Sequence, residues 1–193
     1  MPFPELALRL PAWVGEVVEP GRTCGDPRDR MRLAIELSRR NIDEGTGGPF
    51  GALVFDASGR IIAPGVNLVT SANAAVAHAE VVALTLAQQA LGSYDAGAAG
   101  LPACELVTSC EPCIMCLGAV WWSGVRRLTC GARDADARAV GFDEGPKPDA
   151  WEAELRRTGV EVARDVLRDE AKAVLDEYRR RGGVVYNASR PRG

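Results

Sequence analysis

His78, Glu80, Cys113 and Cys116 are the residues whose types and spacing are suited to chemistry. Cys113 and Cys116 stand one helical turn apart, so on a helix their sulfurs point to the same side and can share a cation. Pro112 suits the first turn of that helix, where its missing N–H costs nothing. Both thiols then sit at the positive end of a helix dipole, which favours the thiolate form that binds metal. His78 is the only histidine in 193 residues and stands two positions before Glu80. One imidazole and two thiolates are three ligands, the number expected of a catalytic zinc that keeps its fourth position for water. Zinc lowers the pKa of such a water to about 7. Glu80 is the carboxylate that would take a proton from it and hand it to a leaving group, as base and then acid.

Each of these residues also has a plainer explanation. Cys-x-x-Cys alone fits structural zinc or a redox pair, and a lone histidine fits an ordinary surface or core position. Their joint occurrence is what favours the catalytic reading. A structural site would want a fourth protein ligand, for which Cys110 is available because 110, 113 and 116 are spaced by three. Cys110 follows the apolar run from Glu105 to Ser109, which reads as a strand, so it is expected at a strand end and outside the ligand set.

His78-Ala79-Glu80, with Ser109-Cys110-Glu111-Pro112-Cys113-Ile114-Met115-Cys116-Leu117-Gly118-Ala119, resembles the cytidine and deoxycytidylate deaminase superfamily of zinc enzymes. Pro49-Phe50-Gly51-Ala52 and Gly141-Phe142-Asp143-Glu144 make the chain most similar to the bacterial guanine deaminases within it. The likeness spans about residues 28 to 150. It implies a three-layer α/β/α fold, bound Zn²⁺, and hydrolytic deamination of a free base, with guanine to xanthine and ammonia the leading expectation. It also implies a homodimer or larger assembly. The apolar run Ala119-Val120-Trp121-Trp122 would suit an interface, with simple core as the alternative.

A flat ring carrying an exocyclic amine needs an apolar face and a few polar groups at its edges. The resemblance gives Phe50 the face, Asn67 a substrate hydrogen bond and Glu144 the ring N–H groups. On spacing alone Phe50 reads as strand core, Asn67 as a turn residue and Glu144 as a solvated loop acid. Many guanine-type relatives carry aspartate where Glu144 stands, a departure that bears on the exact substrate. The resemblance further implies that Val184-Val185-Tyr186-Asn187 covers a pocket, its own or a partner's; the alternative is a short strand or loose end. Arg179-Arg180-Arg181 reads as a helix C-terminus matched to its dipole.

These residues require a scaffold that starts two helices on one side of a sheet. Asp26-Pro27 is an N-cap followed by proline, and Met31, Ala34, Ile35, Ser38 and Ile42 trace one helix face that Gly45 ends. Phe50 to Phe55 and Arg60 to Val69 read as antiparallel strands about Asp56-Ala57-Ser58-Gly59. Val76 to Leu91 is apolar on nearly every side, as a buried helix would be. Residues 92–102 form a loop, 105–109 a third strand, 113–123 a helix and 126–130 a fourth strand. Asp149 and Glu152 predict a capping box on a helix to Arg157, Val160 to Val162 a fifth strand, and Leu167 to Tyr178 a last amphipathic helix. The sum is a mixed five-stranded sheet with helices on both faces, parallel where helices intervene. Residues 1–27 read as an N-terminal extension, 28–183 as the catalytic domain and 184–193 as a tail.

With 47% hydrophobic and 25% charged residues the chain is an ordinary globular protein, long enough for one domain. A net charge of −3 argues against a large phosphate-binding footprint. No nucleic-acid or membrane partner is therefore expected, and the substrate is a small molecule. Three of the six cysteines cluster at the metal motif and the others show no framework spacing, so a reducing, cytoplasmic setting is expected. The start lacks the features of a signal peptide. Other readings compete: deamination of cytosine, a nucleoside such as guanosine, or a triazine-type ring; adenosine editing in tRNA, which would want a basic surface; and a zinc-stabilised binding module, which leaves Glu80 unexplained.

Overall fold

The structure is a computed structural model that describes residues 7–189; the outer parts of the expected extension and tail, 1–6 and 190–193, lie outside the described residues. Seven helices and five strands follow one another among those residues: α1 Val14–Val17, α2 Pro27–Asp43, β1 Gly51–Asp56, β2 Ile61–Val66, α3 Ala79–Leu91, β3 Cys104–Cys110, α4 Ile114–Ser123, β4 Arg127–Ala132, α5 Asp134–Ala139, α6 Trp151–Arg157, β5 Glu161–Ala163 and α7 Arg168–Arg180. The strands form one sheet in the order β2-β1-β3-β4-β5. β1 is antiparallel to both β2 and β3, and β3, β4 and β5 run parallel.

Successive residues of β1 and β3 feed two separate cores, which is why neither strand shows a polar face. Leu53, Phe55 and Val107 pack with Met31 and Leu37 of α2 and with Val174 and Leu175 of α7. Ala52, Val54 and Leu106 pack with Ala83 and Leu84 of α3, Val120 of α4 and Leu155 of α6. A strand buried on both sides must be apolar throughout. The expected three-layer mixed sheet is thus the observed one.

Strand directions bring the chemistry together. β2 and β3 are both antiparallel to the strand between them, so both end on the same side of the sheet, and α3 and α4 each start there. Gly65 allows the first of these helices to lie directly on β2: a Cβ there would stand 2.2 Å from Ala79 O and 2.5 Å from Ala83 N.

Several local expectations are corrected. α3 begins at Ala79, because residues 67–77 form turns, with Leu68 N donating to Ala77 O at 2.8 Å. Pro112 precedes α4 and stands outside its first turn, since Cys113 is the N-cap. Asp149 does not cap α6, whose N-cap is Ala150, and the helix starts one residue later than a capping box needs. α5 is too short to announce itself by periodicity. Asp26 does cap α2, accepting from Arg28 N at 2.8 Å. No helix among the described residues is long and apolar enough to cross a membrane.

Candidate active site

His78 and Cys113 occupy equivalent places on the two helices: each is the N-cap, in extended conformation, of α3 and α4 respectively. Cys116 follows on the first turn of α4. His78 Nδ1 lies 3.6 Å from Cys113 Sγ and 3.6 Å from Cys116 Sγ. All three donor atoms fall within 4.8 Å of one another. Cys110 is not in this cluster, because its thiol at the end of β3 faces Arg133 O at 3.7 Å.

Local electrostatics set the two thiols apart, the hydrogen bond to Cys113 and burial holding Cys116 well above the ordinary thiol range. Hydrogen bonding from the Cys116 thiol, with His78 adding to it, outweighs burial and pushes the Cys113 thiol down to about 4. Burial, together with the Cys113 charge, raises the Glu80 carboxyl to about 6. The same two causes, with Glu80 added, raise Glu144 to about 8. An imidazole, two sulfurs and a carboxyl crowded around one point form a donor set that suits zinc in a three-ligand site.

A cavity of about 310 Å³ opens beside the cluster, lined among others by Phe50, His78, Glu80, Cys113, Phe142 and Glu144. Sequence-derived Phe50, Glu80 and Glu144 therefore share one space with the metal ligands. Phe50 meets Phe142 edge to face, with centroids 5.0 Å apart. Asn67 is fully buried next to Phe50, its N donating to Phe50 O at 3.1 Å, and is not among the residues that line the cavity. Its Oδ1 faces Gly48 N and Val69 N at 3.3 Å each, and its Nδ2 is buried without a partner among the described residues. With the carbonyl side committed to two N–H donors, the amide's free donor is defined.

Tyr186 and Asn187 belong to the segment 184–187 that the resemblance places over a pocket. Tyr186 lines the cavity, 5.1 Å from Phe142 and 6.4 Å from His78 between centroids. Its hydroxyl is buried and unpartnered among the described residues. Asn187 fixes the tail by accepting from Asp143 N at 2.8 Å and donating to Gly141 O at 2.9 Å. Nothing periodic marks these positions; Asn-after-Tyr in a chain terminus carries no signal of its own.

Comparison with known proteins agrees with this site. Residues 26–132 match the family model described as the cytidine and deoxycytidylate deaminase zinc-binding region. The guanine deaminase of Bacillus subtilis (strain 168) is 43% identical over 114 residues, 59% of this chain and 69% of that protein. A solved guanine deaminase structure from Nitrosomonas europaea superposes with a TM-score of 0.88 at 48% identity, covering 91% of this chain and 97% of that one. Another solved structure, of a protein in complex with 2,6-diaminopurine, gives 0.88 at 49% identity over 94% and 96% of the two chains. With its zinc ligands gathered at two helix starts and more than half its length matched, the chain belongs to the cytidine and deoxycytidylate deaminase zinc-binding family.

Proposed function

We propose that this protein hydrolyses guanine to xanthine and ammonia. The observation that carries the reading is the single cavity in which His78, Cys113 and Glu80 face Glu144 and Phe50. His78, Cys113 and Cys116 would hold the zinc, which when bound supplies Lewis acidity and makes water acidic near pH 7. Glu80 accepts a proton from the attacking water and returns it to the exocyclic nitrogen as the C–N bond breaks and ammonia leaves. Phe50, held edge-on by Phe142, presents an apolar contact to the ring. Glu144 accepts from ring N–H groups, which favour its ionised form. Asn67 Nδ2 offers a donor to an acceptor on the base. The similarity to guanine deaminases and to a 2,6-diaminopurine complex supports a purine in this place.

The catalytic unit is residues 28–183, with the described part of the extension, 7–27, packed on it through Trp13, whose Nε1 donates to Thr46 at 3.2 Å, and the described part of the tail, 184–189, serving as a lid. Outside the zinc set, Cys24, Cys104, Cys110 and Cys130 are buried and form no disulfide, which suits a cytoplasmic setting. A homodimer is supported by Trp122 and Trp121, which are 81% and 44% exposed and so do not belong to the core of a single chain. Sedimentation at micromolar concentration should give twice the chain mass; a monomer would remove that part of the reading.

The test is ammonia release from a panel of guanine, guanosine, 2,6-diaminopurine, adenine, cytosine and an aminotriazine. Guanine should be turned over fastest, and a Glu80→Ala protein should release none. Turnover of another ring with guanine ignored would keep the chemistry and overturn the substrate.

A further inference from the structure

Lys147 is a lysine that the fold buries almost completely, its side chain 7% exposed, although nothing in the proposed chemistry uses it. Burying an ammonium is costly unless it is well paired. Its Nζ lies 3.3 Å from Glu111 Oε2, 3.2 Å from Pro112 O and 3.6 Å from Asp134 Oδ1, and 4.6 Å from the centre of the Trp151 ring. Glu111, equally buried, also accepts from Asp134 N at 3.0 Å and from Arg164 Nε at 2.6 Å. The ammonium is therefore fully engaged, and what it joins is informative. Glu111 and Pro112 immediately precede the metal ligand Cys113, whereas Lys147 belongs to the segment that carries Glu144.

The same two segments meet a second time. Ile114 N donates to Glu144 O at 3.0 Å. Cys113 is thus bracketed: the peptide group before it is held through Pro112 O by Lys147, and the one after it through Ile114 N by Glu144. Ile114 also closes on Gly145, where an added Cβ would lie 2.3 Å from Ile114 Cγ2. Salt bridges in the interior are best justified by the register they impose.

We propose that Lys147 is a positioning residue that sets the register between the metal-ligand segment 111–114 and the base-facing segment 142–147, so that Cys113 and Glu144 keep a fixed separation. For the substrate arm this rests on the proposed purine reading; for the metal arm it does not. Removing the ammonium leaves Glu111 still paired with Arg164 and the Asp134 amide, so the fold has no orphaned charge, but the Pro112 carbonyl loses its partner and the bracket opens on one side.

The experiment compares the parent, Lys147→Met and Lys147→Arg, with Arg157→Ala as a control on an exposed ion pair. Zinc affinity of the metal-free proteins is read by competition with a chromophoric chelator, and KM and kcat for guanine are read on the zinc-loaded proteins. In Lys147→Met both zinc affinity and 1/KM should fall by about tenfold, the lower end of what supporting partners of metal ligands typically cost. Lys147→Arg should recover part of each, and Arg157→Ala should change neither. A lower melting temperature with zinc affinity and KM unchanged would make Lys147 merely structural and overturn the proposal. Should Lys147→Met fail to fold, Lys147→Gln, which keeps one donor for Pro112 O, takes its place with the same readouts. If the parent ignores guanine, the purine reading fails while the zinc competition still decides the metal arm.

Discussion

The wall of the cavity that carries His78, Glu80 and Cys113 is made of the N-caps and first turns of α3 and α4, with Cys116 beside it, whereas the facing wall, Phe142, Glu144 and Tyr186, comes from the loop after α5 and the tail after α7. The first wall starts from the ends of β2 and β3, and α3 lies so close on β2 that no Cβ fits at Gly65. The second is held by side-chain bonds such as those of Asn187 and by ring contacts among Phe50, Phe142 and Tyr186. The groups proposed to move protons sit at the starts of helices that lie on the sheet, and the groups proposed to choose the ring sit on a loop and a tail that meet the first wall at the Lys147–Pro112 and Glu144–Ile114 hydrogen bonds. The difference predicts that damage to one wall, away from the Lys147 bracket that joins them, should leave the other's property intact.

The largest effect tests the helix-borne wall from within. Glu80→Gln keeps the shape and hydrogen-bonding reach of the side chain but cannot carry the proton, so turnover should fall by about 10²- to 10⁴-fold. Zinc content, measured by atomic absorption, should stay at the parent's level, and KM should move little. Cys116→Ala should instead lose the metal along with all turnover. If the glutamine variant lost its zinc, Glu80 would have to be counted among the ligands and the division of labour on that wall redrawn.

That wall was also the part most legible in the amino-acid sequence, and for a physical reason. Metal ligands carried at a helix start must be close in the chain, so the Cys113/Cys116 spacing and the pairing of His78 with Glu80 appear in short windows. The sheet was legible as well: strands buried on both sides are continuous apolar runs, and Phe50–Phe55 and Glu105–Ser109 read that way. The second wall was not. Glu144 and the tail segment with Tyr186 stand out only through the resemblance, because the tail's contacts with Gly141, Asp143 and Phe142 span more than forty residues. α5 and the start of α6 are not legible in the sequence because six or seven residues give less than two turns of periodicity, too little to outweigh an Asp149 cap.

An intermediate effect is expected at the tail. Tyr186→Ala removes a ring packed against Phe142 and facing His78 while leaving every metal ligand in place. KM for guanine should rise about tenfold, equivalent to about 1.4 kcal/mol, with kcat reduced less. Zinc affinity by chelator competition should be the same as the parent's. A parallel loss of metal would mean that the tail supports both walls, and the contrast between them would fail.

The smallest effect sits where the second wall is anchored. Asp136 on α5 accepts from Arg133 N at 2.9 Å and from Arg168 Nε and Nη2 at 2.9 Å each. It therefore joins the helix that leads into Phe142 and Glu144 to the start of the helix that leads into Tyr186. The Arg168 hydrogen bonds hold its carboxyl below the ordinary value of 3.8, against some desolvation. A carboxyl depressed in the folded state stabilises the fold at every pH above its unfolded value, and that contribution is lost as the pH falls through the folded one. Asp136→Asn should accordingly be less stable than the parent at pH 7, with a gap that stays level down to about pH 4 and closes below it. Urea denaturation of both proteins, stripped of metal and kept reduced, measures this without interference from thiolate ligation. At pH 7 the variant should show a raised KM and an unchanged zinc affinity, since α3 and α4 do not depend on the Asp136–Arg168 pair. A gap that did not narrow on acidification would mean that the difference does not come from the carboxylate charge, and an altered zinc affinity would place the anchor under both walls.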